Sequence, residues 1–257
     1  MLSVHEIRYH AGHKAIINGI STAFAPGLFH TIVGPNGSGK STFLKIFSGE
    51  LKPQQGKVMY DDRDVFLLDK TTVAKRRAVM SQEPELHFPL SVAEIVMFGR
   101  YPHFTYKPSE RDEMICREAL QQVEMEEFSD RDYLTLSGGE KQRVQFARVL
   151  SQIWEADKGE NKMLFLDEAI SHLDLKHQHQ LMRLAKDFCK RRATVIAILH
   201  DLNMAMRYAD RILFMKQGKI VYELLDGAQP DPAIIKDVFE IESQIVYTDS
   251  GKPVLVF

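Results

Sequence analysis

The pattern of apolar and polar positions predicts an α/β fold. Three short apolar runs, each bounded by glycine or by charged residues, are typical of buried strands. They are Leu28–Val33, Met163–Leu166 and Thr194–Leu199. The first run enters a glycine-rich loop, after which apolar residues recur at helical spacing from Phe43 to Phe47. The order strand, glycine loop, helix indicates a phosphate-binding architecture.

Polar residues follow the other two predicted strands. Asp167-Glu168 ends one run and His200-Asp201 ends the other. Because ligands of open α/β sheets bind at the carboxyl ends of the strands, these groups are candidates for a functional site.

The middle of the chain has a different composition. It is rich in Glu, Gln, Arg and Met at helical spacing and has few β-branched runs. We therefore predict one domain over residues 1–257, with a core at 1–89 and 156–257, to which the candidate catalytic residues below belong, and an inserted helical subdomain at 90–155. Two hairpins are predicted near the C-terminus, one over Arg211–Leu225 turning at Gln217-Gly218 and one at Asp249-Ser250-Gly251.

Composition narrows the class of protein. The 257 residues carry 33 Lys and Arg against 35 Asp and Glu, a net charge of −2, which argues against a nucleic-acid binder held by bulk positive charge. No run of about 18 uncharged apolar residues occurs, so we expect no membrane span. With no export signal, Cys116 and Cys189 are expected to be free thiols in a reducing cytoplasm.

One segment carries specific phosphate chemistry. It fits G-x-x-x-x-G-K-[ST] and reads Gly34, Pro35, Asn36, Gly37, Ser38, Gly39, Lys40, Ser41, with Thr42 behind it. Glycines let backbone N–H groups turn toward a phosphate, and the helix N-terminus adds partial positive charge. Lys40 would reach the β- and γ-phosphates, and Ser41 would bind Mg²⁺. The alternative is a glycine-rich turn with an incidental lysine.

Four further side chains are candidates beside this loop. Asp167 would hold Mg²⁺ through water, and Glu168 would polarise the water that attacks the γ-phosphorus. His200 could donate a hydrogen bond to the γ-phosphate, and the Gln82 amide could contact both Mg²⁺ and the attacking water. The alternatives are solvated carboxylates, a structural histidine and an ordinary surface glutamine.

A segment after the predicted insert's midpoint resembles the signature motif of ATP-binding-cassette (ABC) ATPases. It reads Leu136, Ser137, Gly138, Gly139, Glu140, Lys141, Gln142, Arg143, and the order of the surrounding motifs matches that family. Ser137 and two glycines opening a helix form a second anion-binding N-terminus. The resemblance implies a P-loop ABC ATPase fold: a RecA-like mixed sheet core, an N-terminal antiparallel β subdomain and an inserted helical subdomain.

The resemblance also implies roles for particular residues. ATP and Mg²⁺ would be the ligands, with two ATP molecules held between head-to-tail copies in a homodimer. The signature residues Ser137, Gly138, Gly139 and Glu140 would contact nucleotide bound to the other copy, and Asp174 would support that copy's P-loop. Tyr9 would stack on adenine, although a strand-edge tyrosine is the alternative and His10 and His13 are rival rings.

A shorter run favours one branch of the family. Ser91–His103, which contains the sequence Gly99-Arg100-Tyr101-Pro102-His103, is similar to the corresponding segment of importers of ferric siderophores, haem and vitamin B12. Phe88-Pro89, just before this run, favours the haem branch. The resemblance implies an ATP-hydrolysing subunit, peripheral to the cytoplasmic face of the inner membrane. Its partners would be two transmembrane permease subunits and, indirectly, a substrate-binding protein, with no nucleic acid. The residues Leu86, Phe88, Met97 and Phe98 would either receive the permease or belong to the core.

Two alternatives stay open at this point. One is a soluble ABC ATPase that acts on a cytoplasmic assembly or on nucleic acid. The other is a regulatory module without turnover, because Ala169 and Ile170 follow Glu168 where the family usually has proline and a small polar residue.

Overall fold

The computed structural model describes residues 1–81, 89–155, 161–171, 173–225, 228, 230–249, 251 and 253–257. In chain order the strands are β1 Leu2–Ala11, β2 Lys14–Phe24, β3 Phe29–Val33, β4 Gln55–Tyr60, β5 Arg63–Asp64, β6 Arg77–Met80, β7 Met163–Asp167, β8 Thr194–Ile198, β9 Arg211–Lys216, β10 Lys219–Leu225, β11 Gln244–Tyr247 and β12 Pro253–Val256. The α-helices are α1 Lys40–Phe47, α2 Lys70–Arg76, α3 Val92–Met97, α4 Glu110–Gln122, α5 Gly138–Gln152, α6 Leu175–Lys190, α7 Leu202–Tyr208 and α8 Pro232–Phe239. Short 3₁₀ segments lie at Val65–Leu67, Phe98–His103, Glu126–Phe128 and Tyr133–Thr135.

The chain forms two compact units. The first contains Met1–Leu67 and Ile196–Phe257, and the second contains Leu68–Val195. The division falls within β8. Among the described residues, no helix combines the length and apolar character that crossing a bilayer requires.

The first unit contains an antiparallel sheet and part of a mixed sheet. The antiparallel sheet has the order β2-β1-β4-β5. In the mixed sheet β10, β9, β3 and β8 are successive neighbours, with β9 parallel to β3 and antiparallel to β10. Every residue of β3 is buried, as predicted for an interior strand. Phe43 and Phe47 of α1 pack edge to face, with their ring centroids 4.9 Å apart. Both side chains are fully buried, so they anchor the helix in the core.

The second unit pairs β6 with β7 in parallel and carries a group of helices. Met80 lies opposite Leu166, so both strands end at the same edge. The starts of α3, α4 and α5 are each fixed by a serine capping box. These three helices lie within the predicted insert, whose boundaries stay a prediction because they adjoin residues 82–88 and 156–160, outside the described residues.

The two C-terminal hairpins are confirmed. β9 and β10 pair on either side of Gln217-Gly218, and β11 pairs with β12. The second hairpin is fixed to α7 by Asn203, whose side chain both donates to the Leu255 carbonyl, at 3.0 Å, and accepts from the Leu255 amide, at 2.8 Å. Asn203 thus closes the hairpin against the helix that follows His200.

Candidate functional site

The phosphate-binding motif connects β3 to α1. The helix begins at Lys40, with Gly39 as its N-cap at φ 100° and with no side chain capping it. A glycine N-cap supplies no side-chain oxygen of its own to the N–H groups at the helix start, where the helix dipole is positive. This local geometry suits an anion.

Two glycines of the loop have no room for a side chain. A Cβ on Gly39 would lie 2.8 Å from the Ile16 carbonyl oxygen, and one on Gly34 would overlap the Met215 carbonyl. At Gly37, by contrast, the space around a Cβ is open for 4 Å. The loop is thus pressed against β2 and β9 on one side and open on the other.

The lysine of the motif is folded back onto the loop. Lys40 is only 5% exposed, and its Nζ donates to the carbonyl oxygens of Gly34, at 2.9 Å, and Pro35, at 3.1 Å. The Ser38 hydroxyl is buried and has no hydrogen-bond partner in the described structure. A buried ammonium and an unsatisfied buried hydroxyl within one glycine-rich loop are donors of the kind that bind phosphate oxygens.

A turn distant in sequence supports the loop. Gly218, between β9 and β10, donates its N–H to the Ser38 carbonyl at 3.0 Å. Its own carbonyl accepts the Asn18 N–H at 2.9 Å, and the Asn18 side chain donates to the Gln217 carbonyl at 3.1 Å. Asn18 and Gly218 were not among the predicted site residues, because only folding brings them to the loop.

Tyr9 lies on β1, half-buried, and pairs with Ile17 of β2. The Ile17 side chain reaches to within 3.0 Å of the position that a Cβ on Gly39 would take. Tyr9 therefore lies on the strand next to Ile17, and Ile17 borders the phosphate loop at Gly39. This position is compatible with the predicted adenine-stacking role.

His200 lies at the same edge as the phosphate loop. The Leu199 N–H donates to the Ile32 carbonyl at 3.3 Å, so β8 and β3 end side by side. His200 is exposed, and the Asp201 carboxylate after it caps α7 by accepting the N–H groups of Asn203 and Met204. This cap fixes the backbone conformation of Asp201, the residue directly after His200.

In the second unit, Asp167 and Glu168 end β7 as predicted. Asp167 is buried and Glu168 is half-buried, with a left-handed backbone at φ 53°. A non-glycine residue in that region costs about 1 kcal/mol or more, and such residues cluster at functional sites. The Ser171 hydroxyl donates to the Glu168 carbonyl at 3.1 Å. Ala169 and Ile170, the residues that depart from the family pattern, are buried at 4% and 8% exposure.

The signature segment opens α5, as its glycines predict. Ser137 is the N-cap, and its hydroxyl and backbone N–H both donate to one carboxylate oxygen of Glu140, each at 2.7 Å. Those two bonds from Ser137 lower the pKa of Glu140, which is therefore ionised at neutral pH. Ser137 and Gly138 are exposed.

Asp174 caps the next helix, α6. Its carboxylate accepts the His177 N–H at 2.9 Å and the His177 Nδ1–H at 2.8 Å. The backbone bond from His177, followed by its side-chain bond, lowers the pKa of Asp174. The predicted contact of Asp174 with another copy stays a prediction.

Comparison with known proteins decides the family. The family model for ABC transporters matches residues 17–171, a stretch that includes the phosphate loop, the signature segment and the end of β7. The chain belongs to the ABC transporter family. The predicted family and the α/β P-loop ABC ATPase fold are confirmed.

Relatives with the same ABC cassette align over nearly the whole chain. The hemin import ATP-binding protein HmuV of Pseudomonas aeruginosa is 39% identical and covers 100% of this chain and 99% of its own. HmuV of Gloeobacter violaceus is 42% identical, over 96% of this chain and 90% of its own. These relatives bear out the prediction of an ATPase subunit of an ABC importer.

Solved ABC structures share the fold. A metal-chelate-type ABC transporter in an inward-facing conformation has a TM-score of 0.82 at 23% identity, covering 99% of this chain and 96% of its own. A dimeric bacterial ABC transporter cassette has a TM-score of 0.76 at 27% identity, covering 89% of this chain and 100% of its own.

The run that favoured one ABC branch makes packing contacts in the second unit. A Cβ on Gly99 would overlap the Arg148 carbonyl of α5, and the His103 ring bonds the Gln152 carbonyl at 2.8 Å. Arg100, 2% exposed, donates to three acceptors: the Asp112 carboxylate at 2.8 Å, the Ser151 carbonyl at 2.8 Å and the Glu155 carboxylate at 3.0 Å. The run therefore fastens its 3₁₀ segment to the last turn of the signature helix.

One predicted site residue, Gln82, lies outside the described residues, as do Leu86 and Phe88. Within the first unit, the phosphate loop and His200 lie at the carboxyl ends of β3 and β8. Within the second unit, Asp167 and Glu168 lie at the carboxyl end of β7, beside β6. The catalytic and ligand-binding roles of all these residues stay predictions.

Proposed function

We propose that this chain is the ATP-hydrolysing subunit of an ABC importer for hemin or a related iron chelate, working through a separate membrane permease. The observation that carries the proposal is the phosphate loop, where buried Lys40 and the uncapped start of α1 meet. The full-length similarity to hemin import ATP-binding proteins supports the cargo.

The proposed chemistry uses this chain's own donors and acceptors. Lys40 exchanges its carbonyl partners for β- and γ-phosphate oxygens, while the backbone of Gly34–Thr42 surrounds the triphosphate. The Ser41 hydroxyl and the Gln82 amide would supply oxygen ligands of the kind that Mg²⁺ prefers, and the Asp167 carboxylate would hold the ion through water. When bound, Mg²⁺ neutralises charge that develops on the phosphates.

The remaining side chains act on the substrate. The Glu168 carboxylate orients and polarises the attacking water, and His200 donates a hydrogen bond to the γ-phosphate. Tyr9 stacks on the adenine ring. The left-handed backbone at Glu168 supports its role, because strain of this kind is retained where a side chain must be aimed.

The working form is a homodimer in which the signature of one copy meets nucleotide on the other. The exposed Ser137–Gly138 start of α5 supports this, since its helix dipole attracts an anion. The dimeric cassette among the solved structures also supports it. Hydrolysis would remove the γ-phosphate that bridges the two copies, and the dimer would then open.

Two permease subunits would dock on the helical part, at the cytoplasmic face of the membrane, with a substrate-binding protein acting only through them. A row of aromatic rings supports this docking. Phe98 and Tyr101 stack edge to face at 5.1 Å, and Tyr101, 56% exposed, meets Phe104 at 5.5 Å. Partly exposed aromatic rings of this kind are typical of protein interfaces.

The test is reconstitution of the complex. The chain, purified with its co-expressed permease in liposomes, should hydrolyse ATP and take up hemin when a hemin-binding protein is present. Glu168→Gln should abolish both activities, whereas Glu127→Gln, the same change at an exposed surface position, should leave both intact. Copurification with ribosomes or a soluble assembly instead of a permease would overturn the proposal, and uptake of another chelate alone would overturn hemin as cargo.

A further inference from the structure

The signature segment, Leu136–Arg143, contains the carboxylate of Glu140 at the start of α5, where the segment is proposed to bind a phosphate of another copy's ATP. One Glu140 oxygen accepts both the N–H and the hydroxyl of Ser137, and the Glu140 N–H donates back to that hydroxyl at 3.4 Å. Glu140 therefore occupies the Ser137 donors that the proposed function assigns to the nucleotide of a second copy. It is an internal anion at a site for an external one.

Within the described part of the chain, no Lys, Arg or His lies within ion-pair distance of the Glu140 carboxylate. Arg131 and Arg143 act on it through space, but the first donates to Thr135 and the second donates to the carbonyls of Val123 and Glu124. The negative charge at the start of α5 therefore persists.

Two backbone donors lie beside Glu140. Among the described residues, the N–H groups of Gly138 and Gly139, in the first turn of α5, have no acceptor. Gly138 is also exposed, with nothing within 4 Å of where a Cβ on it would be. A phosphate that approached these N–H groups would come close to the Glu140 carboxylate. Two anions that lie close together repel each other, and at a protein surface the solvent screens this repulsion only in part.

We propose that Glu140 is an electrostatic brake on ATP-driven closure: its carboxylate holds Ser137 in the nucleotide-free copy and opposes the incoming γ-phosphate of the other copy's ATP. This rests on the proposed function, because it requires the signature to meet nucleotide across a dimer. Closure then occurs only when ATP displaces Glu140 from the Ser137 donors. After hydrolysis, Glu140 regains Ser137 and favours opening.

The chain contains a matched control for the brake. Ser91 and Glu94 form the same capping box at the start of α3, with the N–H and hydroxyl of Ser91 donating at 2.7 and 2.8 Å. Glu→Gln at either position removes one negative charge and keeps an oxygen that can accept the serine donors. Only the Glu140 change should affect closure, so any shared loss of helix capping cancels in the comparison.

The experiment measures ATP-dependent dimerisation in Glu168→Gln chains, in which hydrolysis is blocked. Added Glu140→Gln should lower the ATP concentration for half-maximal dimer by about tenfold, equivalent to about 1.4 kcal/mol. Added Glu94→Gln should leave it unchanged. The difference should shrink in high salt, because the screening length falls from about 10 Å at 0.1 M to about 3 Å at 1 M. Binding of ATP to the monomer should be equal in all chains.

The outcomes separate the two proposals. If the Glu168→Gln chain never dimerises with ATP, the proposed function fails. If it dimerises and Glu140→Gln leaves the midpoint unchanged or raises it, the brake is overturned while the proposed function stands. A gain that is independent of salt also overturns the brake, because a packing effect and not a charge would then be responsible.

Discussion

The contact between Gly218 and the phosphate loop predicts that a glycine outside the motif controls nucleotide binding. Gly218 has φ +74°, and a Cβ there would overlap the Ile16 carbonyl oxygen and lie 3.0 Å from its carbonyl carbon. Gly218→Ala must therefore push the turn away from β2. That movement stretches the bonds from Asn18 to Gly218 and from Gly218 to Ser38, which are 2.9 and 3.0 Å long.

The cost follows from these contacts. Alanine in a left-handed backbone costs about 1 kcal/mol relative to glycine. Two weakened hydrogen bonds add about 1 kcal/mol each. We therefore expect Gly218→Ala to destabilise the chain by about 3 kcal/mol. Because Ser38 belongs to the phosphate loop, we also expect about tenfold weaker ATP binding.

Gly12→Ala is the matched control. Gly12 lies in the turn between β1 and β2 at φ +59°, and nothing is within 4 Å of its Cβ position. It should cost only the backbone strain, about 1 kcal/mol, and leave ATP affinity unchanged. Urea unfolding and titration with a fluorescent ATP analogue measure the two quantities. Equal stability and equal affinity in the two variants would refute the idea that the turn supports the loop.

Three other changes have defined outcomes. Ser137→Phe should abolish ATPase activity and leave ATP binding to the monomer intact, and loss of that binding would contradict the two-copy site. Arg100→Met should destabilise the chain by about 3 kcal/mol, because it leaves the buried Asp112 carboxylate without its cation, whereas Arg117→Met at an exposed position should cost under about 0.5 kcal/mol in urea unfolding. Burial lowers the pKa of His30 from 6.5 to about 4, so the unfolded chain binds a proton that the folded chain resists, and stability falls as pH drops from about 6.5 toward 4. His30→Gln should remove about 2 kcal/mol of the difference in unfolding free energy between pH 7 and pH 5, and an unchanged difference would contradict the assignment.

Short-range patterns predicted the phosphate loop well. The glycine spacing encodes backbone conformation, and the structure shows the reason at Gly34 and Gly39, where a Cβ does not fit. The strand ends at Asp167 and His200 were predicted for a similar reason, since an apolar run followed by a polar group marks where a strand leaves the core.

Contacts that join distant parts of the chain could not be predicted. Asn18 and Gln217 are 199 positions apart, and only the fold brings both to the loop. The Gly99-Arg100 run was interpreted by resemblance alone, because its packing reason requires α5 to lie against it. At Glu140, the serine-to-glutamate spacing of a capping box was visible in the sequence, but the resemblance assigned that residue to nucleotide contact.

The central claim is that ATP joins the phosphate loop of one copy to the signature of another. Asn36 and Gly138 are both exposed, and a side chain at Gly138 meets nothing within 4 Å. Chains with Asn36→Cys and Gly138→Cys, in a background of Glu168→Gln with Cys116 and Cys189 replaced by serine, should form intermolecular disulfides with ATP and Mg²⁺ but not with ADP. Absence of crosslinked dimer in ATP, or an equal yield without nucleotide, would contradict the account.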